Sequence, residues 1–129
     1  MRLHRLLVVF PIFLISCFTV EDNSGKSSYL THCASCHGES GKGFQELIPP
    51  LNQADYAQEN TDRLACIIKY GIEGEVEVEG VVYDQPMAGI LDLSPEEITN
   101  ILNFLVTDFK LRDKKFQLTE VRTQLSRCQ

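Results

Sequence analysis

Five consecutive residues, Cys33-Ala34-Ser35-Cys36-His37, constrain this chain more than any other stretch. Two thiols three positions apart, with an imidazole directly after them, form the attachment pattern of a c-type haem. Each thiol can add across one vinyl group of the porphyrin as a thioether, and the adjacent His then lies under the iron as its proximal ligand. Other cysteine chemistries fit less well. A thioredoxin-like redox motif wants a strand–helix–strand setting that is missing here. A structural zinc site wants a second close Cys or His pair, whereas Cys66 and Cys128 stand far apart.

The chain has 129 residues, a length for one domain, and a net charge of −6 that argues against a nucleic-acid partner. Its first sixteen residues read as an export signal rather than as part of the fold. Met1-Arg2-Leu3-His4-Arg5 is a basic start, and 6–15 is an apolar run too short to span a bilayer as a permanent helix. Leu14-Ile15-Ser16-Cys17 resembles the lipobox of bacterial lipoproteins, which implies cleavage before Cys17 and lipidation of its thiol. An ordinary signal peptide cut elsewhere is the alternative. Loss of residues 1–16 takes Arg2 and Arg5 from the 12 bases and none of the 18 acids, so the formal charge of the remainder is −8. Residues 17–24 then form a short polar tether at a membrane surface, followed by a domain over 25–129.

Cys66 and Cys128 are left over once haem and lipid are assigned, in a compartment where disulfides persist. A bridge between them would close a loop of about 60 residues, worth roughly 4 kcal/mol on the chain-entropy relation. Two free thiols are the alternative, since spacing alone does not fix their distance.

Along the chain, Gly25–His32 has the composition of a short helix with Tyr29 and Leu30 as apolar contacts. Gly38 to Gly43 is a glycine-rich loop, expected to wrap one edge of the porphyrin. Pro49-Pro50-Leu51 forces an extended path and leaves carbonyls free to accept. One of these can hold the second ring N–H of a proximal His. Asn60-Thr61-Asp62 offers caps for a helix at about 61–70. Residues 75–83 alternate up to Glu79 and bend at Gly80, which predicts a small hairpin with its glutamates on the wet side. Ser94-Pro95-Glu96-Glu97 carries a capping box and an N1 proline, followed by Ile98, Ile101, Leu102 and Leu105 at helical spacing. After a charged stretch at 110–115, Leu118, Val121 and Leu125 share one face of a last helix.

The sixth iron ligand follows by elimination. Outside the leader the chain has two histidines, His32 and His37, and His32 directly precedes Cys33 on the attached side. Thioether sulfur is a soft ligand suited to low-spin haem iron. Met87 is the one methionine outside the leader, on a Pro-containing loop long enough to reach the opposite face.

These residues resemble class I cytochromes c over about Gly25 to Leu105. Gly25 and Tyr29 match the Gly and aromatic of that family's N-terminal helix, and Cys33, Cys36 and His37 match its attachment site. Pro49 matches the proline whose carbonyl bonds the proximal His, and Leu51 the leucine that packs on haem. Met87 matches the distal ligand, and Ile101, Phe104 and Leu105 the helix that crosses the N-terminal one. The chain departs from the family in having no Trp, so the propionates would need other partners, with Arg63, Tyr56 and Tyr70 as candidates. Residues 106–129 form an extension beyond the resemblance, which Cys128 would staple to the Cys66 helix.

The resemblance implies an all-α cytochrome c fold of four to five short helices around one covalent haem c, with a small β-hairpin at about 76–83. It implies a one-electron carrier rather than an enzyme, with His37 and Met87 on the iron, redox proteins as partners and no small-molecule substrate. The expected setting is the bacterial cell envelope, facing the periplasm and held to a membrane through Cys17. Three rivals are a subunit permanently bound to a membrane dehydrogenase or terminal oxidase, a haem sensor or peroxidase-like protein, and a non-haem envelope lipoprotein.

Overall fold

The computed structural model describes residues 23–128. The expected signal segment, the expected lipidation at Cys17 and the expected tether as far as residue 22 lie outside the described residues. Six helices run in order among the described residues: α1 (Ser24–His32), α2 (Ala34–His37), α3 (Asp55–Glu59), α4 (Leu64–Tyr70), α5 (Pro95–Asp108) and α6 (Leu118–Leu125). Four short strands lie between α4 and α5: β1 (Gly71–Ile72), β2 (Val76–Val78), β3 (Val81–Tyr83) and β4 (Met87–Ala88). The result is a mostly helical chain with two small antiparallel pairs.

Helix α5 is where local and tertiary signals agree. The Glu97 amide donates to Ser94 Oγ at 3.2 Å, and the Ser94 amide donates to the Glu97 carboxylate at 2.8 Å, the two halves of a capping box. Its face of Ile98, Ile101, Leu102 and Leu105 is buried. Helix α1 crosses α5 through Gly25, which meets Asn100 and Phe104. A β-carbon there would overlap the Asn100 carbonyl oxygen and sit 3.2 Å from Phe104 Cβ, so only glycine permits this approach. One turn later Tyr29 is fully buried, its ring 5.0 Å from Phe104 and 5.2 Å from Phe109. Leu30, expected to share the burial, is 42% exposed. The helix turns Gly25 and Tyr29 inward, and Leu30 lies about 100° further round the axis.

The hairpin forms where alternation placed it, with Val78 opposite Val81 and Val76 opposite Tyr83. Helix α4 starts at Leu64, three residues later than the sequence suggested. The local caps are engaged elsewhere, Asn60 donating its side-chain amide to the Tyr56 carbonyl at the end of α3 (2.8 Å). The cap of α4 comes instead from α6. Gln124 Oε1 accepts from the Ala65 amide at 3.1 Å, and Gln124 Nε2 donates to the Thr61 carbonyl at 3.0 Å.

Residues beyond α5 pack back on the domain. Leu111, Phe116 and Val121 are buried. Asn103 accepts from the Phe116 amide (2.7 Å) and donates to its carbonyl (3.1 Å). Arg112 lies 3.4 Å over the Phe116 ring and forms a fork on Glu120 at 2.8 and 2.9 Å. Cys66 on α4 and Cys128 beyond α6 are joined as a disulfide, with Cα atoms 5.5 Å apart.

Candidate functional site

One cleft of about 420 Å³ opens beside the motif, within the span of ordinary cofactor sites. Its walls come from the end of α1, α2, the 47–51 segment, α3, α4 and the strand region. Cys33, Cys36, His37, Pro49, Leu51 and Met87 all line it.

The one-turn helix α2 sets Cys33 at its start and His37 at its end, so thiols and imidazole face one space. Cys33 and Cys36 are not bonded to each other, which leaves both sulfurs for thioether bonds. Before attachment, burial, with Cys36 adding to it, pushes the Cys33 thiol up to about 11. Tyr29 helps to fix this turn from behind, its hydroxyl donating to the Gly38 carbonyl at 2.6 Å. Burial first, and then Cys33, raises the pKa of that hydroxyl, which keeps it a donor.

His37 is 7% exposed, and its Nδ1 lies 3.0 Å from the Pro49 carbonyl oxygen. A carbonyl only accepts, so Nδ1 carries the proton and Nε2 is left with the lone pair a metal needs. Burial lowers the pKa of His37 and the Pro49 bond opposes that shift, which leaves the neutral imidazole favoured at pH 7. The Pro49 carbonyl is held in place by its own loop. Phe44 and Ile48 pair antiparallel, and the Gly43 amide donates to the His37 carbonyl at 2.9 Å.

The glycine-rich loop contributes differently from expectation. None of residues 38–43 lines the cleft, and Gly41 instead backs onto the Phe109 ring. The loop supports the Pro49 arm from outside because its left-handed glycines turn the chain away from the cleft, and 47–51 forms the wall.

Met87 sits on the other limb, in β4 rather than in a free loop. It pairs with Ile72 of β1, and Ala88 pairs with Gly71. Gly71 has φ +84°, and a β-carbon there would overlap the Met87 carbonyl; one at Gly89 would overlap the end of α4. Two glycines thus let the methionine segment lie directly on the helix terminus. The Ile90 amide donates to the Ile68 carbonyl at 3.0 Å, satisfying one of the last carbonyls of α4. Lys69 Nζ donates to the Leu91 carbonyl, and to that of Leu93 at 2.7 Å.

The donor set fits a haem held through both thiols. A neutral imidazole and a thioether share a mainly apolar cleft whose further walls include Leu64, Ile67, Ile68 and Val78. Among the described residues no group of three or more His, Cys, Asp or Glu could hold a free metal ion. Of the propionate candidates, Tyr56 lines the cleft, while Arg63 and Tyr70 do not.

The sequence did not reveal Gln124, the β1–β4 pair or the clamp from Lys69. A lone Gln at the end of an amphipathic segment carries no local signal. The Gly71 and Gly89 positions around Met87 were a usable hint of close packing.

The cytochrome c family model matches residues 23–108 of this chain. A protein named cytochrome c-552 from one strain of Thermus thermophilus is 30% identical over 109 residues, covering 81% of this chain and 72% of the relative. A second cytochrome c-552 from Thermus thermophilus is 34% identical over 79 residues, or 58% of this chain and 60% of the relative.

Proposed function

From the premise that this chain belongs to the cytochrome c family and carries covalently attached haem c, we propose that it is an electron carrier in which His37 and Met87 would hold the iron. The observation that carries this reading is the pairing of a proton-fixed His37 with a clamped Met87 on one cleft. Bound haem supplies a one-electron iron couple. The chain's residues do the rest. Cys33 and Cys36 hold the group as thioethers, and Pro49 fixes the imidazole so that Nε2 keeps its orientation in both redox states. The β1–β4 pair holds the Met87 backbone against the end of α4, and with His37 and Met87 both on the iron no position would be open for a substrate. Leu51 and the aliphatic wall of α4 would keep water from the bound group.

The same reading places the mature chain at a membrane, cleaved after residue 16, lipidated at Cys17 and tethered through residues 17–24. It faces the periplasm and exchanges electrons with membrane-bound or periplasmic redox proteins. Permanent attachment to one oxidase or dehydrogenase gains nothing from the 106–129 extension, whose apolar residues are used on the domain itself.

A pyridine haemochrome spectrum and a redox titration of the purified protein test attachment, ligation and potential together. Met87→Ala should lose the weak near-infrared methionine–iron band and lower the potential. An unchanged spectrum would remove Met87 from the iron.

A further inference from the structure

Charge is distributed unevenly over this chain. The segments 43–62 and 70–92, which supply most of the cleft walls, contain ten acidic residues and no Lys or Arg. Residues 109–128 contain six bases and two acids. A second, polar depression lies where α1 begins and α5 ends, lined by Asn23, Lys26, Thr107, Asp108 and Lys115 among others. Lys110 reaches the same rim, its Nζ donating to the Thr107 carbonyl at 3.0 Å. Lys26, Lys110, Lys114 and Lys115 are all exposed. Both ion pairs among the described residues use arginines, so none of these lysines is tied to a carboxylate. Asp108 and Asp113 share the region, which leaves it net positive on an acidic protein.

Its place relative to the cleft is set by α1. That helix begins at the depression and ends at His32 and Cys33, which line the cleft. Nine residues of helix separate the two by about 13 Å along the axis. The chain enters α1 at Asn23, and the backbone from Cys17 to Asn23 reaches at most about 20 Å.

We infer that the Lys26–Lys110–Lys115 face is a membrane-orienting surface that rests on anionic phospholipid headgroups and turns the haem cleft outward. The inference rests on the lipid anchor at Cys17. Acyl chains supply the binding, and the lysine face supplies direction. An acidic body is repelled by an anionic bilayer over the cleft side, where segments 43–62 and 70–92 hold ten acids and no Lys or Arg, and is attracted at the lysine face, so the tethered protein settles with α1 upright. The acidic segments that supply the cleft walls are then presented to soluble or neighbouring redox proteins. Attraction of this kind acts within about a Debye length, roughly 10 Å at 0.1 M salt, so the short tether is what brings the face into range.

The test uses the full-length lipidated holoprotein in vesicles of phosphatidylcholine alone or with one-third phosphatidylglycerol. Lysines are modified with an amine reagent and carboxylates with a carbodiimide, and both are read by mass spectrometry. In anionic vesicles at low salt, labelling of Lys26, Lys110 and Lys115 should slow several-fold and recover at 0.5 M salt, while Glu75 and Glu77 label at the same rate throughout. Equal lysine labelling in both vesicles overturns the inference, as does protection in native membranes but not in anionic vesicles, which would assign the face to an acidic protein. The mass of the N-terminal peptide reads the anchor separately: without acyl chains the lipoprotein reading fails. In the lipidated Lys26→Gln/Lys115→Gln holoprotein, which stays vesicle-bound through its acyl chains, labelling of the remaining Lys110 in anionic vesicles should rise to its rate in phosphatidylcholine alone. Protection of Lys110 that survives both substitutions would overturn the role of the face itself.

Discussion

Replacing both residues of the Cys66–Cys128 bridge by serine tests how the extension stabilises the domain. The bridge spans a sequence separation of 62. Closing a loop of that length removes denatured-state entropy worth about 4 kcal/mol at 25 °C on the chain-entropy relation. A domain of this size has on the order of 5–15 kcal/mol in all, so the bridge is a large share. Native contacts of α6 should largely survive, because Gln124 still caps α4 and Val121 remains fully buried against the core. The loss therefore falls on the unfolded chain. Urea unfolding of the oxidised holoprotein and of Cys66→Ser/Cys128→Ser, followed by far-ultraviolet circular dichroism, should show a midpoint lower by about 2 M for a slope near 2 kcal/mol/M. The slope should also rise, since an uncrosslinked chain exposes more surface. A loss under about 1 kcal/mol with an unchanged slope would refute the loop-closure account. A new haem spectrum in the folded variant would refute the claim that native contacts hold α4 without the bridge.

Gly25→Ala should cost about 2 kcal/mol or more, because α1 and α5 must separate to admit one methyl at Asn100; thermal melting of the holoprotein measures it. Gln124→Leu keeps the volume but leaves the Ala65 amide and Thr61 carbonyl unpaired, at about 1–3 kcal/mol each, and denaturant unfolding should show roughly that loss. The Arg112 guanidinium beside Glu120 holds its carboxyl below the usual range. A depressed folded-state value gives stability that is complete above the unfolded carboxylate value of about 4.3 and is lost as pH falls through the folded value. Glu120→Gln should therefore flatten the acid limb of a stability–pH curve, and an unchanged limb would show that the fork contributes nothing.

The parts of this fold legible in the sequence are those whose cause is local. The attachment motif is a chemical spacing. The capping box of α5 joins Ser94 and Glu97 within one turn, and the 76–83 hairpin follows from alternation and a glycine. Gly25, Tyr29, Pro49 and Met87 were readable through resemblance, since a family pattern carries long-range packing that periodicity cannot. Where the cause was distant, local reading went astray. Asn60, Thr61 and Asp62 looked like caps for α4, yet α4 is capped by Gln124, whose cost and benefit appear only once α6 is docked. Leu30 looked like a core contact until the rotation of α1 was set by Gly25 and Tyr29.

The sequence by itself determined the bound group: two thiols and an imidazole at this spacing leave few alternatives to a covalently attached haem, and Met87 is the one methionine among the described residues. Tertiary structure alone decided how those donors are held, which limb backs which, and where the charges end up. The physical reason is range. Covalent attachment and helix capping act over a few residues, whereas the Pro49 arm, the β1–β4 clamp and the Cys128 tail exist only when segments distant in sequence pack together.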